Sequence, residues 1–239
     1  MNIHRIIDRC QQWLRYPQPS SEQRDLLGLK TDSFDLDMTA RRLAAESSAW
    51  YLSNHMRQAE KFETDYDLHE AVKHWVEIPG HHLEFGVATG RTIRHWARLW
   101  PDNIIHGFDS FEGLPETWLW NIRRGHFAQK LPRVPANVQL HQGWFNQTLP
   151  EWLNHQGPVA FLHIDSDLYS SAQYVLNTLA DRIVPGTVIV FDEYFNFPGW
   201  QQDEFRAWQE FVKQYRVQYE YLGFVTSHQE VAVKVNQIG

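Results

Sequence analysis

From residue 82 onwards, short apolar runs alternate with stretches that have helical spacing. The apolar runs cover 82–87, 104–108, 138–142, 159–164 and 187–191, and the helical stretches lie near 90–99, 148–155, 169–182 and 202–215. Strands that alternate with helices predict a parallel sheet with helices on both faces. Right-handed crossovers then order the strands into an open, doubly wound sheet.

The C-terminal end of the chain breaks this alternation. Two further apolar runs, 218–224 and 230–235, flank a short polar turn at 226–229, which predicts an antiparallel hairpin at the sheet edge. Parallel strands followed by such a hairpin resemble the order of class I methyltransferases, whereas a dehydrogenase sheet normally ends without one. We therefore expect an α/β fold with a Rossmann-like, class I methyltransferase sheet that is mostly parallel, preceded by a helical N-terminal extension.

The domain organisation follows from this change of pattern. Residues 1–80 are predicted to form the helical extension, and the resemblance to class I methyltransferases implies that residues 81–239 form the S-adenosylmethionine-binding domain. Helical spacing occurs in the extension at 3–14, 38–61 and 65–77. Residues 17–37 are polar and rich in turn formers, so they predict a loop. We expect residues 1–37 to act as an arm and lid that covers the acceptor or contacts a second subunit in a homodimer.

The composition bears mainly on partners and location. The formal net charge is −7 and the chain has no long basic run, which argues against a nucleic-acid partner. Cys10 is the only cysteine, so no intrachain disulfide or cysteine metal cluster can form. Charged residues interrupt the apolar positions at the N-terminus, and no run approaches the ~20 apolar residues of a membrane span. We expect no membrane partner and take the cytoplasm as the default location.

A glycine-containing loop, LEFGVATG at 83–90, follows the first parallel strand and opens a helix. Gly86 and Gly90 allow a tight turn and a close approach to a ligand, and the free N–H groups of the helix can face an anion. Glu84 suits a ligand with an ammonium group and would oppose a pyrophosphate. The Gly-x-x-x-Gly spacing differs from the dinucleotide fingerprint, and a turn needed only for strand–helix packing explains it about equally well.

The second strand ends in an acid, Asp109. A carboxylate at this place can accept two ribose hydroxyls, although a turn or helix cap would also use it. The order strand, glycine loop, helix, strand and aspartate favours a nucleoside ligand. Asn146, after the third strand, is a weaker candidate for the adenine rim, since a turn residue before the next helix is the simpler interpretation.

Two pairs of carboxylates follow the fourth and fifth parallel strands. Asp165 and Asp167 are two residues apart, so in an extended chain they point the same way, and Asp192 and Glu193 end the next strand. Any one of these acids alone could be a solvated helix cap. Four that meet at the carboxyl edge of one sheet would repel one another, and a hard cation such as Mg²⁺ would resolve that repulsion.

Together these motifs resemble the macrocin O-methyltransferase family (TylF/MycF type) from about residue 82 to the C-terminus. The segments that carry the resemblance are LEFGVATGRT, HGFDSFEGLPE, GWFNQTLP, FLHIDSDLYSSA and VPGTVIVFDEYFNFPGW. The resemblance implies Mg²⁺-dependent methyl transfer from S-adenosylmethionine to a hydroxyl of a small molecule, often a sugar on a natural product. It implies Asp165, Asp192 and Glu193 as metal ligands and Asp167 as the general base. Glu193 stands where several relatives carry aspartate.

Two other functions stay open at this point. An NAD-dependent oxidoreductase could use a similar sheet, but the spacing of the glycine loop and the Asp-Glu pair argue against it. A non-catalytic cofactor-binding protein could keep the same fold, because a fold alone does not establish activity. The presence of all four acids argues against that alternative.

Overall fold

The computed structural model describes residues 35–239. The strands are β1 (Glu60–Phe62), β2 (His81–Phe85), β3 (Ile105–Asp109), β4 (Val138–Gln142), β5 (Val159–Ile164), β6 (Ile183–Phe191), β7 (Gln218–Val225) and β8 (Val231–Gln237). The helices are α1 (Leu36–His55), α2 (Asp65–Trp75), α3 (Arg91–Leu99), α4 (Phe145–Trp152), α5 (Tyr169–Thr178) and α6 (Glu204–Gln214), with 3₁₀ turns at Ala180–Arg182 and Trp200–Gln202. None of these helices is long and apolar enough to cross a membrane. The predicted arm and lid, residues 1–37, lie outside the described residues except for Asp35, Leu36 and Asp37.

The strands form one eight-stranded sheet in the order β1-β7-β8-β6-β5-β2-β3-β4. The pairs from β6 through β5, β2 and β3 to β4 are all parallel, whereas β8 pairs antiparallel with both β6 and β7. The predicted Rossmann-like sheet, mostly parallel with a C-terminal antiparallel hairpin, is therefore confirmed. In this order β3 lies on one side of β2, and β5, to which the chain returns later, lies on the other side. The topological switch point, where the strand order reverses, is therefore between β2 and β5.

The C-terminal hairpin does not close the sheet. The strand β1 pairs in parallel with β7, with Glu60 opposite Gly223 and Phe62 opposite Val225, and so forms the outer edge. The sequence predicts a helix through residue 61, because a strand of three residues is too short to show its own periodicity. Residues 43–239 form one compact unit. The strand β1 and the helix α2 thus belong to the sheet domain, although the sequence assigns both to the extension at 1–80.

The central strand β5 is buried on both faces. All six of its residues, VAFLHI, are buried, as expected for a parallel strand with helices on each side. Leu162 and Ile164 pack into the apolar cluster that includes α5 and α6, whereas Phe161 packs into the cluster that includes α2 and α3. This double burial fixes the carboxyl end of β5, where the sequence changes from apolar residues to acids.

A cluster of histidines lies at the amino ends of β2 and β3, away from those acids. His106 is 4% exposed and its Nδ1 lies 3.1 Å from Nε2 of His141. Its ring also faces the rings of Trp152 and His155. Burial, together with the neighbouring imidazoles, lowers the pKa of His106 to about 3. The folded chain therefore holds this side chain neutral at a pH where the unfolded chain would protonate it.

We expect acid to destabilise the fold in part through His106. Its ordinary pKa is 6.5 and its folded pKa about 3, so the stabilisation is complete above pH 6.5 and is lost as the pH falls towards 3. After allowance for solvent screening, the free energy of unfolding should drop by about 1–2 kcal/mol between pH 7 and pH 5 from this residue. Urea unfolding should show that the free energy of unfolding changes less between pH 7 and pH 5 in His106→Phe than in the wild type. An identical difference in the two proteins would contradict this assignment.

Candidate active site

A cavity of about 600 Å³ lies at the carboxyl ends of the strands around the switch point. This is the place where open α/β sheets bind their ligands. One half is lined by the glycine loop, the end of β3 and the start of α4, and the other half by the acids after β5 and β6 and by the first turns of α5. The predicted residues in its lining are Gly86, Asp109, Asn146, Asp165, Asp167, Asp192 and Glu193.

The two glycines of the loop have different roles. Gly86 has φ of 94°, and a Cβ there would lie 1.6 Å from the carbonyl oxygen of Asp165, so only glycine allows the ends of β2 and β5 to meet. Gly90 is the N-cap of α3, with φ of 78°. A Cβ at Gly90 would lie 3.2 Å from Cβ of Pro132. Gly90 thus faces the segment around Pro132 and is not part of the cavity lining.

Asp109 shapes the loop and also faces the cavity. Its Oδ2 accepts hydrogen bonds from the backbone N–H groups of Val87 and Ala88, at 2.8 and 2.7 Å, and its Oδ1 accepts from that of Phe111 at 2.6 Å. An ionised carboxylate offers about four acceptor positions. Three of these acceptor positions are therefore in use, and one position on Oδ1 remains for a ligand hydroxyl. The sequence predicted that Asp109 would accept hydrogen bonds from two ribose hydroxyls.

Glu84 is predicted to contact the ligand, but it does not line the cavity. Its side chain is fully buried on the α3 face of β2. It accepts a hydrogen bond from Oγ1 of Thr92 at 3.1 Å and lies 3.1 Å from Nδ1 of His163. Burial raises the pKa of Glu84. The alternation of side chains along β2 directs this carboxylate to His163, so this geometry gives no contact between Glu84 and an ammonium group in the cavity.

Asn146 lies in the first turn of α4 and lines the cavity with an exposed side chain. The neighbouring rings of Trp144 and Phe145 also line the cavity, and Phe145 packs edge-on against Phe85 at the end of β2. A planar base bound in this half would meet two aromatic rings and one amide. This arrangement is compatible with the predicted adenine rim.

Three of the acids converge as the sequence predicts. Asp165, Asp192 and Glu193 each offer a carboxylate oxygen, and these oxygens lie within 4.8 Å of one another. Asp192 Oδ1 and Glu193 Oε2 are buried without a hydrogen-bond partner in the described part of the chain. Unpaired buried carboxylate oxygens are costly, and a set of oxygen ligands is the type that Mg²⁺ takes. These residues therefore fit a hard divalent cation.

The electrostatics of the cluster point the same way. Burial raises the pKa values of Asp165 and Glu193 well above the ordinary range, and the charge of Asp192 adds to both shifts. Without a cation, these two carboxyl groups would tend to hold protons. Burial acts to raise the pKa of Asp192 as well. Hydrogen bonds with Glu230 and Glu193, together with the nearby His163, act in the opposite direction and have the larger effect, so the pKa of Asp192 is lowered.

Asp167 reaches the cavity by a different route from the one predicted. The strand β5 ends at Ile164, so Asp165 and Asp167 are not on an extended strand. Asp167 has φ of 62°, in a tight turn in which the N–H of Leu168 donates to the carbonyl of Ser166 at 2.6 Å. Aspartate is one of the few residues that tolerates this left-handed conformation. Burial, with the charges of Asp192 and Asp203, raises the pKa of Asp167 to about 7.

Glu204, which the sequence analysis does not identify, joins the two acidic loops. It is fully buried at the start of α6. Its Oε1 accepts from the backbone N–H of Ser166 at 3.0 Å, and its Oε2 accepts from that of Glu193 at 3.3 Å. Burial raises its pKa. An acid at the start of a helix is usually a solvated cap, so the sequence has no signal for this role.

The chain is similar to known methyltransferases. A methyltransferase-domain family model matches residues 83–194. A curated relative from Streptomyces olivaceus, 8-demethyl-8-(2,3-dimethoxy-alpha-L-rhamnosyl)-tetracenomycin-C 4′-O-methyltransferase, is 30% identical over 142 residues, which are 49% of this chain and 54% of the relative. The chain thus spans about half the length of that relative.

Solved structures show the same fold. The calicheamicin methyltransferase CalS11 superposes with a TM-score of 0.56 at 22% identity, over 91% of this chain and 99% of that one. The O-methyltransferase NovP superposes with a TM-score of 0.56 at 21% identity, over 70% of this chain and 79% of that one. The predicted resemblance to O-methyltransferases of this kind is confirmed, and the family match supports S-adenosylmethionine as the cofactor. Residues 83–194 therefore match a methyltransferase-domain family, within a chain that has the Rossmann-like fold of these structures.

Proposed function

We propose that the chain is an S-adenosylmethionine-dependent O-methyltransferase that uses Mg²⁺ and acts on a hydroxyl of a small molecule, such as the sugar of a natural product. The observation that carries this proposal is the convergence of Asp165, Asp192 and Glu193 in the same cavity as the loop held by Asp109. The relatives agree in chemistry. The curated relative is named for transfer to a 4′ oxygen of a rhamnosyl tetracenomycin, and CalS11 is described as a TDP-rhamnose 3′-O-methyltransferase.

Each half of the cavity has a separate task in this proposal. In the first half, Asp109 would accept a ribose hydroxyl, the backbone at Gly86 would lie along the ligand, and Asn146 would face the adenine. In the second half, the three carboxylates would hold the cation. S-adenosylmethionine supplies an electrophilic methyl group, and Mg²⁺ supplies positive charge that makes an acceptor hydroxyl more acidic and orients it.

Asp167 is the residue that would take the proton. Its carboxylate lines the cavity beside the three acids but is not one of the converging ligands, so it stays available to accept a proton. Asp167 would accept the hydroxyl proton of the acceptor, while S-adenosylmethionine would supply the methyl group and leave as S-adenosylhomocysteine. Ser170, Ser171 and Tyr174 line the same half of the cavity and offer hydroxyls to a polar acceptor. Holding both reactants in line supplies much of the rate.

A binding and a transfer experiment together test this function. Calorimetry should show binding of S-adenosylhomocysteine and none of NAD⁺. Methyl transfer from labelled S-adenosylmethionine to a panel of rhamnosylated compounds and nucleotide sugars should then stop on addition of EDTA and resume with excess Mg²⁺. Absence of S-adenosylhomocysteine binding would refute the methyltransferase, whereas a rate that EDTA does not change would refute only the metal.

A further inference from the structure

A second group of metal-ligating side chains lies behind the acids of the cavity. His163 on β5, Asp192 after β6 and Glu230 before β8 each offer one ligand atom, and these atoms lie within 4.8 Å of one another. The residues are 0%, 8% and 0% exposed. Asp192 belongs to this group and also to the group with Asp165 and Glu193, so the two groups share one carboxylate.

Every member of this inner group has an atom that lacks a partner. Within the described chain, His163 Nε2, Asp192 Oδ1 and Glu230 Oε2 are buried and make no hydrogen bond. Buried polar atoms are nearly always satisfied in folded proteins. Asp192 Oδ1 is already assigned to the outer group, so His163 Nε2 and Glu230 Oε2 are the two atoms that point to a ligand of the inner group.

The remaining atoms of the group are held in place by a second layer of side chains. His163 Nδ1 lies 3.1 Å from Oε2 of Glu84, and Glu230 Oε1 lies 3.1 Å from Nε2 of His69. Nε1 of Trp96 also lies 3.4 Å from Nδ1 of His163, as a weak donor. In the tautomer in which Nδ1 donates to Glu84, Nε2 keeps its lone pair, which is the arrangement found behind metal-bound histidines. This also explains why Glu84 is buried against His163 and does not line the cavity.

The charge of the group requires compensation. Glu84, Asp192 and Glu230 bring three carboxyl groups into the interior. Thr92 and His163 hold Glu84, whereas His69 and a hydrogen bond with Asp192 hold Glu230. None of these partners carries a permanent positive charge. A divalent cation would offset two of the negative charges and satisfy the free atoms at the same time.

We propose that His163, Asp192 and Glu230 bind a second divalent ion, of the first-row transition series, beneath the Mg²⁺ site. One imidazole nitrogen with two carboxylate oxygens suits Mn²⁺, Fe²⁺ or Zn²⁺, whereas Mg²⁺ prefers oxygen ligands alone. Once bound, the inner ion holds Asp192 in position for the outer ion. The inner site shares only Asp192 with the proposed function and does not depend on methyl transfer.

Mn²⁺ is a suitable probe because it accepts both sets of ligands and is paramagnetic. The full chain, freed of metal by dialysis against a chelator, should take up two Mn²⁺ ions per chain, measured by equilibrium dialysis with elemental analysis. The electron paramagnetic resonance spectrum should show coupling between the ions, because two-metal sites of this kind are about 3.5–4 Å apart. Glu230→Gln should retain one ion in the outer site, and Asp165→Asn should retain one in the inner site, each with the spectrum of an isolated ion.

The outcomes separate this proposal from the proposed function. If the wild type binds one ion and Glu230→Gln binds it equally well, the inner acids share protons and the second site does not exist, while the Mg²⁺ site stands. If the wild type binds no ion, both sites are refuted. The stoichiometry of the wild type decides between one and two ions even if a variant fails to fold, and thermal unfolding of each variant checks its structure.

Discussion

Replacing Asp167 with asparagine should lower turnover by ~10²–10⁴-fold, the usual range for loss of a general base. Asparagine has nearly the same volume and also tolerates the left-handed backbone at φ of 62°, so the substitution removes the proton acceptor with little strain. Metal affinity should stay nearly intact, because Asp167 is not among the three acids whose oxygens converge. Turnover at saturating S-adenosylmethionine and Mg²⁺, with a metal titration beside it, measures both effects.

Asp192→Asn is the matched control, since it changes a neighbouring carboxylate in the same way. Asp192 lies in the converging group, so this variant should bind metal more weakly, and excess Mg²⁺ should restore part of its activity. The two variants should therefore differ in what added Mg²⁺ does for them. Loss of the metal in Asp167→Asn, with normal affinity in Asp192→Asn, would mean that the ligand and the base have been exchanged.

The sequence predicts most of the sheet because burial leaves a clear pattern in its strands. The apolar run VAFLHI coincides with β5, which is buried throughout, whereas the run at 138–142 coincides with the edge strand β4, in which partly buried and exposed residues are mixed. The strand β1 is missed because Glu60–Phe62 has two exposed residues and depends for its strand conformation on pairing with β7. Such a strand is determined by tertiary contacts, which local periodicity cannot report.

The same division applies to the candidate site. The acids that follow β5 and β6 were predictable, since parallel strands deliver their carboxyl ends to one edge of a sheet. Glu204 and Glu230 were not predictable, because each comes from a distant part of the chain and contacts the cluster only through folding. Glu84 shows the converse: its position in the loop motif suggested a ligand contact, but the face of β2 on which it lies gives it His163 as a partner.

Asp109→Ala should reduce the affinity for S-adenosylhomocysteine by about 100-fold or more, which corresponds to ~3 kcal/mol. The variant loses the remaining acceptor position for a ribose hydroxyl. It also frees the N–H groups of Val87, Ala88 and Phe111, which now donate to the carboxylate. Hydrogen bonds to a charged group contribute about 1.5–3 kcal/mol each, so the loop itself should lose order. Calorimetry measures the affinity, and urea unfolding without ligand measures the loss of stability.

Ser110→Ala provides the comparison for this variant. Ser110 also lines the cavity, but its hydroxyl accepts only a local hydrogen bond, from the backbone N–H of Glu112 at 3.0 Å. The affinity of Ser110→Ala for S-adenosylhomocysteine should therefore be close to that of the wild type. An S-adenosylhomocysteine analogue without ribose hydroxyls then separates the two effects at Asp109. If the carboxylate binds the ribose, the analogue should bind the wild type more weakly than S-adenosylhomocysteine, while Asp109→Ala should no longer distinguish the two ligands. Equal discrimination by both proteins would leave Asp109 with a role only in shaping the loop.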